Sequence, residues 1–190
     1  MPILDPQRAA VLALSCTLES LAGYPNNAGL LERAAKVLHA ARRAQVPVVH
    51  GIVRFRPGYP EVGPRSGFGA MKAAGRLKDL SPENAPHPAL DPQPSDILLT
   101  KRRAGAFFGT DLDLILRAQG RTTLALLGVR TSGAVLRTFC WALDADYDVL
   151  VVSDCCADLD QELHDVLLRK LYGRQALTAD EFVVALTRPV

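Results

Sequence analysis

The chain predicts a three-layer, doubly wound α/β fold built on a mainly parallel, six-stranded sheet. Three observations predict it. Short apolar runs such as AAVLAL at residues 9–14 and TTLALL at 122–127 lack polar alternation, as strands buried on both faces do. Between such runs, apolar residues recur at helical spacing. The two kinds of segment alternate along the chain, which is the order that βαβ units impose on a parallel sheet.

Residues 9–14 read as the first and central strand, closed by the small polar residues Ser15 and Cys16. Gly23, Pro25 and Asn26 mark a turn. A helix starts near Asn27, with Leu30, Leu31, Ala34, Val37, Leu38 and Ala41 on one face. Residues 46–53, VPVVHGIV, form the second strand. From 54 to 94 prolines and glycines crowd the chain, leaving room for one short helix near 70–77. This stretch far exceeds the usual connection of about 4 to 6 residues. Its Arg54, Phe55, Arg56, Tyr59, Arg65 and Phe68 either close over a ligand or pack the loop down against the protein or a second subunit.

Residues 96–100, DILLT, are the third strand, with Lys101 just past its end. Thr110, Asp111 and Asp113 open a helix whose buried side is Leu112, Ile115, Leu116 and Ala118, and Gly120 stops it. The fourth strand, 122–127, is followed by a helix over 132–143. A fifth strand at 147–153 and a helix at 162–171 come next. Thr178 and Glu181 form a capping box for a last helix through Leu186.

Composition narrows the function. The 190 residues are 48 % hydrophobic and 22 % charged, as expected of one ordinary soluble domain spanning 1–190. Lysine and arginine outnumber the acids by only 22 to 20, and basic pairs such as Arg42-Arg43 are scattered, so no nucleic-acid partner is expected. No apolar run approaches the roughly 18 residues of a membrane span, and the first residues lack a signal-peptide pattern. A cytoplasmic protein without membrane contact is the expectation. Cys16, Cys140, Cys155 and Cys156 show no CxxC spacing, and His39, His50, His87 and His164 are dispersed. The cysteines read as reduced core residues, and no metal or other cofactor is expected.

In a doubly wound fold, ligands lie outside the carboxyl ends of the strands. Ser15 and Cys16, Arg54 to Arg56, Lys101, and Arg130 to Ala134 should therefore meet at one crevice.

These segments resemble the isochorismatase-like cysteine hydrolases, a superfamily that includes nicotinamidases, carbamoylsarcosine amidohydrolases and isochorismatases. The resemblance rests on His87-Pro88-Ala89-Leu90, Lys101 with the AFFGTDL stretch at 106–112, GVRTSG at 128–133, and residues 147–157. The RPGYPEV stretch at 56–62 resembles a subgroup. The resemblance implies a triad: an aspartate ending the first strand, a lysine ending the third, and a cysteine in the turn after the fourth, whose thiolate attacks a carbonyl carbon.

In this chain the lysine place holds Lys101, the aspartate place holds Ser15, and the cysteine place holds Ala134. A methyl group cannot attack a carbonyl, and a serine hydroxyl accepts no proton near neutral pH. Vinyl-ether hydrolysis by members that use the aspartate as acid is removed with that aspartate.

The resemblance also implies a cis peptide near Val129-Arg130 and an anion cradle of backbone N–H groups, including that of Ala134. Arg130, Thr131, Gly133, Phe107, Phe55 and Arg54 are the expected ligand contacts. The expected ligand is a small anionic or carbonyl-containing molecule, bound beside a lysine left cationic by the missing aspartate. Family members commonly assemble, so a homo-oligomer is expected. The alternative is an active small-molecule hydrolase working through Lys101 with Ser15 or other pocket groups, since serine-lysine pairs are a known nucleophilic arrangement.

Overall fold

The computed structural model describes residues 4–24 and 27–187. The turn expected at Pro25 and Asn26 lies outside the described residues. In chain order the elements are β1 (Ala9–Leu14), α1 (Leu18–Leu21), α2 (Asn27–Arg43), β2 (Val48–Val53), α3 (Gly69–Ala73), β3 (Ile97–Lys101), α4 (Leu112–Ala118), β4 (Thr123–Val129), α5 (Leu136–Asp144), β5 (Asp148–Ala157), α6 (Gln161–Val166), β6 (Ala176–Leu177) and α7 (Ala179–Thr187). The six strands form one sheet in the order β3-β2-β1-β4-β5-β6, and every pairing is parallel. β1 is therefore internal, as its unbroken apolar run predicts.

The two faces of β1 divide the core. Ala9, Val11 and Ala13 pack with Ala34, Val37, Leu38 and Ala41 of α2 and Phe182 and Ala185 of α7. Ala10, Leu12 and Leu14 point the other way, into Leu112 and Leu116 of α4 and Phe139 and Ala142 of α5. This period-2 split explains why the strand carries no polar residue, since helices cover both sides.

Helix ends follow the sequence in most places. The Glu181 carboxylate accepts the Thr178 N–H at 2.8 Å, and the Glu181 N–H donates to Thr178 Oγ1 at 3.2 Å, closing the box that starts α7. At α4 the cap is Thr110, whose Oγ1 accepts from the Leu112 N–H at 3.3 Å, whereas the Asp111 side chain makes no cap bond. Two stretches expected as regular helix widen instead: Thr131–Val135 leads into α5 as a π turn, and Leu167–Tyr172 extends α6 in the same way.

The connection after β2 carries its own small core. Val53, Phe55, Tyr59, Val62 and Leu77 bury one another, with Phe68 and Met71 against them. The Glu19 carboxylate ties the loop to α1 by accepting from Arg76 Nε and the Leu77 N–H, both at 3.0 Å. Of the two outcomes open to this loop, its aromatic residues Phe55 and Tyr59 take the packing one. The short helix inside it covers Gly69–Ala73 rather than 70–77.

Candidate active site

Where β1 and β4 end, the chains come unusually close. Gly128 pairs with Leu14 at φ +120°, and a Cβ at this glycine would lie 2.1 Å from the Leu14 carbonyl oxygen. Only glycine fits both the dihedral and the gap. The next residues turn outward, through the cis peptide Val129-Arg130 and the π turn that carries Ala134. Ser15 ends β1 on the other side with φ +57°, its N–H donating to the Gly51 oxygen at 2.8 Å.

A cleft of about 1200 Å³ opens at these strand ends. Its wall includes Ser15 after β1, Val53 at the end of β2, residues 103–105 after β3, and Val129, Arg130, Ser132, Gly133 and Ala134 after β4. The predicted crevice therefore forms at the carboxyl ends of the strands, and the loop after β2 adds Arg65, Phe68 and Met71.

Lys101 lies beneath the floor. It is fully buried, its stem crossing the bare backbone of Gly51, where a Cβ would meet Lys101 Cδ at 3.5 Å. Nζ donates to the Ala104 carbonyl at 2.9 Å and to Ser15 Oγ at 3.3 Å. Burial without a carboxylate partner pushes the Lys101 amine down to about 7. Desolvation therefore works against the cationic pocket expected from the missing aspartate and towards the desolvated amine that a serine-lysine pair needs. Ala134 is buried with its methyl at the cleft wall. The Ala134 carbonyl accepts from Thr138 Oγ1 at 2.7 Å, and Thr138 in turn accepts from the Ala106 N–H at 3.0 Å, which locks the β3 loop onto the turn.

Several expected contacts face elsewhere. Phe55 is fully buried inside the loop's own core. Arg54 donates from Nε and Nη2 to the Asn84 carbonyl, at 3.2 and 2.9 Å; that carbonyl is the last of the Pro82–Asn84 3-10 turn, whose closing bond runs from the Ala85 N–H to the Pro82 carbonyl. Thr131 is buried with its hydroxyl 2.8 Å from His164 Nδ1. Arg130, Gly133 and Phe107 do line the cleft.

The neighbouring cysteines are not placed to replace a nucleophile. Cys16 packs in the α2 side of the core, and burial pushes its thiol up to about 12. Cys140 is exposed, which corrects its expected core position: it lies between the buried Phe139 and Ala142 on the solvent side of α5. Among the described residues no group of three His, Cys, Asp or Glu side chains is arranged to hold a metal ion, and no helix is long and apolar enough to cross a membrane.

Sequence reasoning missed Arg103, Arg137 and Trp141. The signal for two of them was present, since Arg137 and Trp141 stand three and seven residues after Ala134, on the same face of a helix. Phe107 stacks on Trp141 with ring centroids 4.0 Å apart and planes 12° from parallel.

Comparison with known proteins agrees with this architecture. The chain is 33 % identical over 147 residues to a maleamate amidohydrolase of Pseudomonas putida, covering 76 % of this chain and 67 % of that protein. It is 31 % identical over 185 residues to the phenazine biosynthesis protein PhzD of Pseudomonas fluorescens, covering 95 % and 87 %. The solved structure of an isochorismatase family protein from Burkholderia thailandensis superposes with a TM-score of 0.85 at 27 % identity, covering 99 % of this chain and all of that one. The family model for the isochorismatase domain matches residues 3–181, nearly everything from the first strand to the last helix, and the chain belongs to the isochorismatase family.

Proposed function

We propose that the cleft binds a small carbonyl-containing or anionic molecule, and that the chain does not carry out cysteine-dependent hydrolysis. The observation that carries this reading is the pair of side chains at the cleft floor: the Ala134 methyl stands where the resemblance puts a thiol, and the Ser15 hydroxyl faces Lys101 where it puts a carboxylate. Neither group supplies the nucleophile or the proton acceptor of the family triad. Main-chain donors at the turn need no cysteine side chain, so binding outlives the loss of chemistry. Maleamate, the compound named for one relative, is by its chemistry a carboxylate joined to an amide and belongs to the ligand class in question.

A second reading is favoured by the 3.3 Å contact between Lys101 Nζ and Ser15 Oγ. An amine lowered to about 7 is partly unprotonated at neutral pH, and such an amine can take the serine proton as Oγ attacks a carbonyl.

One experiment separates the two. The wild type and the Ser15→Asp/Ala134→Cys double variant are assayed against a panel of amides, ureas and vinyl ethers. Turnover by the double variant alone supports the first reading, as does weaker binding of small carboxylates by Lys101→Ala. Wild-type turnover abolished by Ser15→Ala or Lys101→Ala overturns it in favour of the second.

A further inference from the structure

The cleft wall carries five arginines, Arg65, Arg76, Arg103, Arg130 and Arg137, and no aspartate or glutamate. Arg76 is neutralised by Glu19 at 3.0 Å. The other four form no ion pair among the described residues. Arg103 Nη1 donates to the Arg102 carbonyl at 2.6 Å and Arg137 Nη1 to the Gly133 carbonyl at 3.3 Å, which leaves both charges uncompensated. Arg130 interacts with the Tyr24 phenol, and Asp158 also acts on that phenol. The Asp158 oxygens accept from the Ser132 and Leu159 N–H groups, which keeps that carboxylate ionised and offsets part of the Arg130 charge, so Arg65, Arg103 and Arg137 are the least compensated of the four.

Flat apolar surface lies beside these cations. Trp141 backs onto Phe107, Phe108 is 67 % exposed, and both phenylalanines line the same cleft as Trp141. The cleft volume of about 1200 Å³ exceeds the roughly 300 to 1000 Å³ typical of sites for drug-sized ligands.

We propose that this cleft takes a phosphorylated aromatic compound of nucleoside-diphosphate character, its ring against the Phe107, Phe108 and Trp141 surface and its phosphates among Arg65, Arg103, Arg130 and Arg137. The proposal rests on reading the cleft as a ligand site and adds the ligand's class. Charge decides between candidates. A single carboxylate answers one of the four guanidinium groups that have no ion pair, whereas each terminal phosphate brings about −1.5 to −2 charges and three acceptor oxygens. Guanidinium forks bind such oxygens bidentately. Arginines gathered at a cleft without acids also raise the local concentration of a multiply charged anion.

Calorimetric titration with adenosine 5′-diphosphate, adenosine and isophthalate tests this. The diphosphate is expected to bind about tenfold or more tightly than either of the others, and to weaken as salt is added. Arg65→Gln, Arg103→Gln and Arg137→Gln are each expected to weaken it by about three- to tenfold with an unchanged thermal midpoint. A diphosphate bound no more tightly than adenosine, or than isophthalate, overturns the proposal. Benzoate titrated into the wild type and into Lys101→Ala reports the floor of the cleft separately. If benzoate binding depends on Lys101 while the diphosphate fails, this inference alone falls; if both fail, the reading of the cleft as a ligand site falls with it.

Discussion

Lys101 sits in the protein with only neutral oxygens, those of Ser15 and Ala104, against its amine. Its ordinary value of 10.5 drops to about 7 on burial. Between those two values the unfolded chain holds more protons than the folded one, so this group's contribution to stability rises with pH across that window. Below it, the whole penalty of burying a charge is present. Lys101→Met is therefore expected to stabilise the fold at about pH 6, on the order of a few kcal/mol, with the gain shrinking towards alkaline pH. Thermal midpoints of both proteins across that range check it, and a gain independent of pH contradicts the depressed amine. Lys101, Ser15 and Ala134 were legible in the sequence because strand ends fix where a residue stands. Phe55 was not, since its burial depends on Tyr59, Val62 and Leu77 folding back on it within a segment that has no periodicity to read.

At the scale of elements, the strand-turn-helix after β4 depends on Gly128. Gly128→Ala places a methyl against the Leu14 carbonyl at a dihedral that L-residues avoid. The expected loss exceeds about 3 kcal/mol, measured by urea unfolding; a loss below about 1 kcal/mol contradicts the close approach of β1 and β4. Strands β1 to β5 and the α7 capping box were readable from apolar runs and from the Thr178–Glu181 spacing, whereas the two-residue β6 (Ala176–Leu177) is too short to leave a run. The π turns were not, because apolar spacing does not separate a π turn from an α-helix; the two turns meet in the structure, the Tyr172 hydroxyl donating to the Thr131 carbonyl at 2.9 Å across 41 residues.

Across the whole molecule, a rigid parallel sheet holds the cleft floor while the loop after β2 supplies part of the wall through a separate core. The Glu19 carboxylate ties that loop to α1, beside the bond from Arg76 Nη2 to the Glu19 main-chain carbonyl at 2.9 Å. Glu19→Gln is expected to speed amide hydrogen exchange in residues 56–77 by roughly tenfold while leaving exchange in β1 and β4 unchanged. Uniform acceleration would instead mean that the loop is part of the global fold. The sequence located the cleft through strand order but not its charge, because arginines from three separate connections line one cleft only once the sheet is assembled. Trp141, the only tryptophan of the chain, stands in the wall of that cleft at 38 % exposure, with one ring face on Phe107. The molecule thus carries its own optical reporter: its indole emission arises at one known place, and whatever enters the cleft changes the surroundings of that single fluorophore without any label being attached.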